Sequence, residues 1–570
     1  MRRLNLTGLF LALLLVLPTA FAQQAAQAPA VAPLRATPAL AKAARDAAKH
    51  ITAEQLKKDL YWVADDARGG RDTPSPGLDE TARYLADRLA RAKVKPAGDD
   101  GTYFQKIELR STAADAEKSR AEIGGRQYKL GPDFVLAATT GGEVSNAPLV
   151  YVGHGWVVRS KNIDAYKGLD VRDKVMVVAG GMAPPEGVTT DYIAKQAASD
   201  WENPLTYAQK NGARGIVLVP QRFERMWQYG QMTLTRSAYQ VARFADERAA
   251  AQAGRPGNPP VSTIPVITPS AAMLAAIFEG ERQTGAELQQ AASANTAGQG
   301  FDLAASKRMT LSLIVNQKTA TTQNVVGVLE GSDPTLKSEY VAVGAHYDHV
   351  GTGRADKNGD TIFNGADDDG SGTVAVLSIA EAFAKAKRPR RSLLFVWHAA
   401  EEKGLWGSEY FTKYPTVPIN QIVAQLNIDM IGRSRAADDT KPANKGLSGP
   451  DEIYVIGSKM MSTELGALSE AVNASYLNLK YNYQYDAPDD PEQLFYRSDH
   501  YNYAARGVPI IFYFDGIHED YHRQSDSPDK IDYQKMEKVA RTVFVVGSEI
   551  ANAPRRPAVD KPLPADRIRN

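Results

Sequence analysis

Residues 364–373 read NGADDDGSGT, three consecutive carboxylates held between glycines, and the apolar run VAVLSIAEAFAKA begins at the next residue. Acidic residues suit the first turn of a helix because they complement its unpaired N–H groups and positive dipole end. One carboxylate suffices for that. Adjacent like charges repel unless something positive sits among them, so the decapeptide fits either a solvated, helix-capping loop or a metal site. Other segments carry matching chemistry. EYVAVGA runs into His346-Tyr347-Asp348-His349, and SLLFVWHAA runs into Glu401-Glu402. AQLNI reaches Asp429, and VPIIFYF leads to a loop with His518, Asp520, Tyr521 and His522. Six of the eight histidines (346, 349, 398, 500, 518 and 522) lie beside these runs.

The elements that must position these residues are legible from periodicity. Beyond residue 320 the apolar runs NVVGVLEG, EYVAVGA, RSLLFVWHA, IVAQLNIDM, EIYVIGS and VPIIFYF alternate with helical patterns. Continuous apolar strands separated by helices predict an α/β fold with a largely parallel central sheet flanked by helices and buried on both faces. In such sheets ligands gather beyond the carboxyl ends of the strands, which is where the acids and histidines stand. Upstream, TAEQLKKDLYWVADD and LDETARYLADRLARAKV read as helices around the turn-rich ARGGRDTPSPG. Residues 136–305 change texture to short β-like runs such as APLVYVGHGWVV, DKVMVVAGG and ARGIVLV, which predicts a β-rich inserted domain.

At 570 residues the chain is long enough for two or three domains. A net charge of +1 with 23% charged residues points neither to nucleic acid nor to an anionic membrane surface. The absence of cysteine excludes disulfides, a Cys-ligated zinc and a thiol nucleophile, so a metal site here consists of His, Asp and Glu. At the N-terminus, Arg2 and Arg3, the apolar run from Leu9 to Leu17 and Ala20-Phe21-Ala22 read as a signal peptide over residues 1–22. The run is too short to span a bilayer. The expectation is an exported chain, periplasmic or extracellular, with an Ala/Pro-rich leader over 23–44 and a Pro/Arg-rich tail over 556–570.

The motifs HYDH, GADDDGSG, AAEEKGLWGS, LNIDMIG and DYHRQSDSPD occur in an order that resembles the di-zinc family of secreted bacterial leucyl aminopeptidases and glutamate carboxypeptidase. The resemblance covers residues 45–135 and 306–555. The intervening DAYKGLDVRDKVMVV, LTYAQKNGARGIVLV and IPVITPSAAMLAAI resemble a protease-associated domain. The family resemblance implies two zinc ions per chain, one held by Glu402 and His522, the other by His346 and Asp429, with Asp368 bridging. Three carboxylates and a bridging hydroxide would balance two divalent cations in a buried site. Glu401, beside a ligand, then serves as general base, and Asp348 orients the His346 imidazole. Asp367 and Asp369 cap the helix or bond the loop. His349, His398, His500 and His518 are assigned to structure.

Tyr521 matches a tyrosine of the glutamate carboxypeptidase branch, where it either donates to an oxyanion or packs its ring against the pocket wall. The nine tyrosines from Tyr476 to Tyr521 fit a half-buried β segment or an aromatic substrate wall. The expected function is an exported zinc-dependent metallopeptidase, an aminopeptidase acting on peptides, with no specific protein partner. The alternatives are a carboxypeptidase or dipeptidase, for which Arg433 and Arg497 are candidate carboxylate ligands, a single-zinc acyl transfer like that of glutaminyl cyclases, and a non-catalytic binding protein.

Overall fold

The computed structural model describes residues 38–136, 141–197, 199–235, 239–253, 264–487 and 489–563. The signal-peptide segment, most of the leader and the end of the tail lie outside them. Among the described residues no helix is long and apolar enough to cross a membrane.

The chain is mixed α/β and builds two large sheets. The first has ten strands. Its long members are β1 (Phe104–Ala114), β2 (Val315–Leu329), β3 (Tyr340–His346), β4 (Ser392–His398), β5 (Ile422–Ile428), β6 (Glu452–Ile456) and β7 (Ile510–Phe514). The order across the sheet is Tyr239–Val241, β1, β2, β4, β3, β5, β7, β6, Lys480–Asn482, with Lys95–Pro96 beside β2. The central four, β4-β3-β5-β7, are parallel, and β2 and β6 flank them antiparallel. Because the chain passes from β3 outward to β4 and then crosses to β5, the connections diverge between β3 and β5. Such a switch point opens a crevice at the carboxyl ends of the strands.

Alternate side chains of a strand point to opposite faces, and here both faces are covered. Val341, Val343 and Ala345 of β3 and Leu393, Phe395 and Trp397 of β4 join a core with the helices α1 (Ala53–Val63), α2 (Pro76–Arg91), α3 (Gly372–Lys385) and α4 (Tyr533–Asn552). Ala342, Leu394 and Val396, one residue out of phase, join the opposite core with Phe411, Tyr501, Phe512 and Phe514. That double burial is why the strands read as unbroken apolar runs. Phe383 of α3 stacks on Phe544 of α4 with ring centroids 3.9 Å apart, locking two helices of one layer.

The second sheet has nine strands and its own core. Gly142–Tyr151, Val175–Ala179, Gly215–Val219 and Val266–Pro269 run parallel at its centre. It extends beyond the 136–305 interval in both directions, because Arg120–Ile123, Arg126–Lys129 and Arg308–Leu313 pair into it. A short alternating hairpin such as RAEIGGRQYK looks alike in either sheet, and only its long-range partner assigns it. In the opposite sense, Tyr239–Val241 leaves this unit and pairs with β1 of the first sheet.

Candidate metal centre

The strand ends converge as their sequence order suggests. His346 closes β3 and pairs in register with His398 of the neighbouring β4. Glu401 and Glu402 follow β4, Asp429 follows β5, and Tyr521 and His522 lie in the loop after β7. Three non-glycine residues at these exits, Ala400, Met430 and His522, hold left-handed φ angles of 58°, 58° and 54°. Each costs roughly 1–2 kcal/mol. They sit beside or at the site residues, a clustering typical of functional sites.

The three consecutive acids divide the work. Asp369 Oδ1 accepts from the amides of Gly372 (2.9 Å) and Met430 (3.1 Å), and its Oδ2 accepts from the amide of His346 (3.2 Å). It thereby joins the start of α3 to the ends of β3 and β5. Asp367 Oδ1 accepts from the amide of Gly432 at 2.7 Å, and Oδ2 lies 3.2 Å from His518 Nε2. Only Asp368 is left to face the crevice. The loop closes because Gly365, at φ 58°, carries no side chain: a Cβ there would lie 2.4 Å from the Asp368 carbonyl oxygen and 2.5 Å from the His349 ring.

Two donor clusters share Asp368. His346 Nε2 lies 3.3 Å from Asp368 Oδ1 and 3.6 Å from Asp429 Oδ1. His522 Nε2 lies 3.0 Å from Asp368 Oδ2 and 3.1 Å from Glu402 Oε2. Two donors on one tetrahedral zinc, each about 2.0–2.2 Å from it, stand about 3.3–3.6 Å apart, so both clusters have the spacing of a coordination shell or one slightly tighter. Asp368 Oδ2, Glu402 Oε1 and His522 Nε2 are buried without an aligned hydrogen-bond partner among the described residues. Buried polar atoms left unmatched in this way call for an ion. The donor set therefore fits zinc.

The electrostatics agree. Burial opposes ionisation of Asp368, yet the imidazoles of His349, His346 and His522 outweigh it and hold the carboxyl well below the usual range. Burial likewise opposes protonation of His522, but Asp368 and Glu402 raise it to about 10. A cation among these groups would replace such protons. Burial pushes Glu401 well above the ordinary carboxylate range, with His346 opposing and the charges of Asp429 and Glu402 adding to it. Its amide donates to Asp348 Oδ1 at 3.0 Å.

Some placements differ from the sequence reading. The expected partner of His346 Nδ1 was the Asp348 carboxylate, but the Asp348 carbonyl oxygen is nearer, at 3.2 Å against 3.7 Å for Oδ1. The same Oδ1 also accepts from the Glu401 amide, so one carboxylate oxygen faces both groups. His349, assigned to structure, stands inside the site: its Nδ1 is 2.8 Å from Glu402 Oε1, so His349 and His522 approach different oxygens of one carboxylate. The signal was its position three residues after His346. His398 and His500 are packed, the former 3.2 Å from the Tyr503 hydroxyl, the latter 2.8 Å from the Phe495 carbonyl oxygen. Asp499 was not singled out, yet it is fully buried near the cluster, and burial pushes it up to about 7. Arg433 is taken by Asp520, 2.9 Å away.

Two cavities meet at the centre. A small one of about 30 Å³ joins His346, Asp429 and Glu401 to the apolar Met430, Leu494 and Phe512. A larger one of about 840 Å³ leads away from Glu401, Glu402 and Tyr521. Arg497 borders both. Of the nine tyrosines, Tyr496, Tyr501 and Tyr521 line the larger cavity. Tyr481, Tyr503 and Tyr513 are packed into the core.

Residues 324–546 match the sequence model of peptidase family M28. A probable zinc metalloprotease of Pyrenophora teres f. teres is 37% identical over 117 residues, 20% of this chain and 24% of that protein. Leucine aminopeptidase 2 of Arthroderma otae is 25% identical over 278 residues, 44% of this chain and 50% of that protein. The chain thus spans half or less of the length of these curated relatives. Among solved structures, the aminopeptidase from Aneurinibacillus sp. strain AM-1 aligns over 92% of this chain and 99% of its own, at 18% identity and a TM-score of 0.44.

Proposed function

We propose, from the match of residues 324–546 to the peptidase family M28 model, that the chain is a zinc-dependent exopeptidase that removes N-terminal residues from peptides. The observation that carries this reading is the pair of donor clusters sharing Asp368, His346–Asp368–Asp429 and Asp368–Glu402–His522. Two divalent ions bound there would lower the pKa of a shared water and polarise the scissile carbonyl.

The chain's own residues do the rest. Glu401, in no cluster itself and bordering both cavities, takes the proton of the attacking water and passes it to the leaving amine. Its burial raises its proton affinity, which suits a group that must accept and release a proton. Asp348 holds the Glu401 main chain in place. Tyr521, its ring stacked on His522 at 3.9 Å between centroids, borders both cavities, from which its hydroxyl would donate to the carbonyl oxygen as that oxygen gains charge. The acids Asp368, Glu401 and Asp429 around the smaller cavity suit a terminal ammonium.

The second reading is a carboxypeptidase or dipeptidase, and Arg497 at the border of both cavities favours it. Turnover of aminoacyl-anilides beside N-blocked peptides with free C-termini separates the two. Cleavage of the anilides alone supports the aminopeptidase, and cleavage of the N-blocked peptides alone overturns it. We assign residues 1–22 to export on their signal-peptide features and residues 136–305 to a protease-associated domain on the resemblance of their sequence. N-terminal sequencing of secreted material tests the first.

A further inference from the structure

The larger cavity has a wall contributed by the inserted unit. After Tyr239–Val241 pairs with β1, the helix Ala242–Ala253 lies against the first sheet. Val241 and Phe244 are buried with Ile107 and Leu109, and Arg110 Nη1 meets Asp246 Oδ1 at 2.7 Å. The Tyr414 hydroxyl donates to Glu247, and the Arg243 guanidinium sits 3.3 Å from the centre of the Tyr414 ring. These contacts fix the helix as a side of the cleft.

Four acids and four bases line the cleft, but the acids are engaged elsewhere. Glu247 is met by Tyr414 and by Arg243 at 3.6 Å, and Glu409 is paired with Lys413 at 2.6 Å. Glu401 and Glu402 belong to the metal centre. Three lining cations remain, Arg248 from the inserted helix and Arg497 and Arg506 flanking the short helix His500–Ala504. None of the three has an ion pair among the described residues, and the one acceptor beside Arg248 is the neutral Gln240 at 3.4 Å. Guanidinium groups left without carboxylates around a concave surface suit an anionic ligand, and their fork matches a carboxylate.

We propose that the cleft takes a carboxylate carried by the substrate on the leaving side of the scissile bond, held by Arg248, Arg497 and Arg506. The inserted unit thereby takes part in substrate choice. The proposal rests on the peptidase reading and names its substrate class: short peptides whose terminal carboxylate reaches the arginines, or peptides with an acidic side chain there.

The test compares Leu-Ala-Ala with its C-terminal amide and with Leu-Glu-Ala-amide, using the full chain loaded with zinc. The free acid should be cleaved with a kcat/KM about tenfold above the amide, mainly through KM, and the advantage should shrink as salt is raised. Arg248→Gln and Arg506→Gln, both at exposed positions, should each reduce the acid-to-amide ratio, and the double variant should reduce it further. Recovery of rate in Leu-Glu-Ala-amide assigns the site to acidic side chains, and no recovery assigns it to the chain terminus. Equal kcat/KM for all three peptides, or a ratio undiminished in the double variant, overturns the proposal while leaving the peptidase reading intact. No cleavage of any of them, nor of aminoacyl-anilides, overturns both.

Discussion

Arg71 donates from Nη2 to the carbonyl oxygen of Gly365 at 2.8 Å, joining the segment between α1 and α2 to the loop that presents Asp368. The same buried guanidinium reaches the carbonyl oxygens of Val63, Tyr347 and Asn364 at 2.9, 3.0 and 2.7 Å. One side chain therefore holds both the turn after β3 and the acidic loop. Arg71→Ala should leave several buried carbonyls unmatched and cost about 3 kcal/mol or more. Arg71→Lys, which keeps the charge and loses the fork, should fold but bind zinc roughly tenfold more weakly. Denaturant unfolding together with a zinc titration checks this. Unchanged zinc affinity in the lysine variant would reduce Arg71 to a purely structural brace.

Metal removal should abolish turnover, and added zinc should restore it. Because the clusters hold buried carboxylates and imidazoles together, zinc should also raise the midpoint of thermal unfolding. Elemental analysis should find two ions per chain. Full activity with one ion or none contradicts the dinuclear reading.

Glu401 and Glu402 are neighbours with different tasks. Glu401→Gln should keep both metals and lose about 10²–10⁴-fold in kcat. Glu402→Ala should lose metal as well, since His522 and His349 both approach that carboxylate. Equal zinc retention in the two variants would show the roles to be misassigned.

Tyr521→Phe keeps the ring that stacks on His522 and removes only the hydroxyl. If that hydroxyl stabilises the developing oxyanion, kcat should fall by about 10²–10³-fold with KM and zinc content little altered. A kcat within a factor of about three of the parent returns Tyr521 to packing.

What the sequence by itself determined is the kind of fold and the chemistry at each strand end. Apolar runs such as SLLFVWH and AQLNI are local signals of strands buried on both faces. In such a sheet the ends of the parallel strands share one edge, which brings His346, Glu401, Glu402 and Asp429 together, while the ligand roles of Asp368 and His522 rest on the family resemblance. Tertiary structure alone decided the rest. Asp367, Asp368 and Asp369 are alike in sequence, and only the amides of Gly432, Gly372 and Met430, supplied from other elements, set two of them aside and left Asp368 facing the crevice. Asp520 claims Arg433 and leaves Arg497 to the cavities. The helix Ala242–Ala253 reaches the cleft because Tyr239–Val241 pairs with β1 across more than a hundred residues of chain. Periodicity reports which way a side chain faces within its own element. It carries no information on which distant donor, acceptor or strand edge will meet that side chain, because those partners are chosen by the packing of the whole chain.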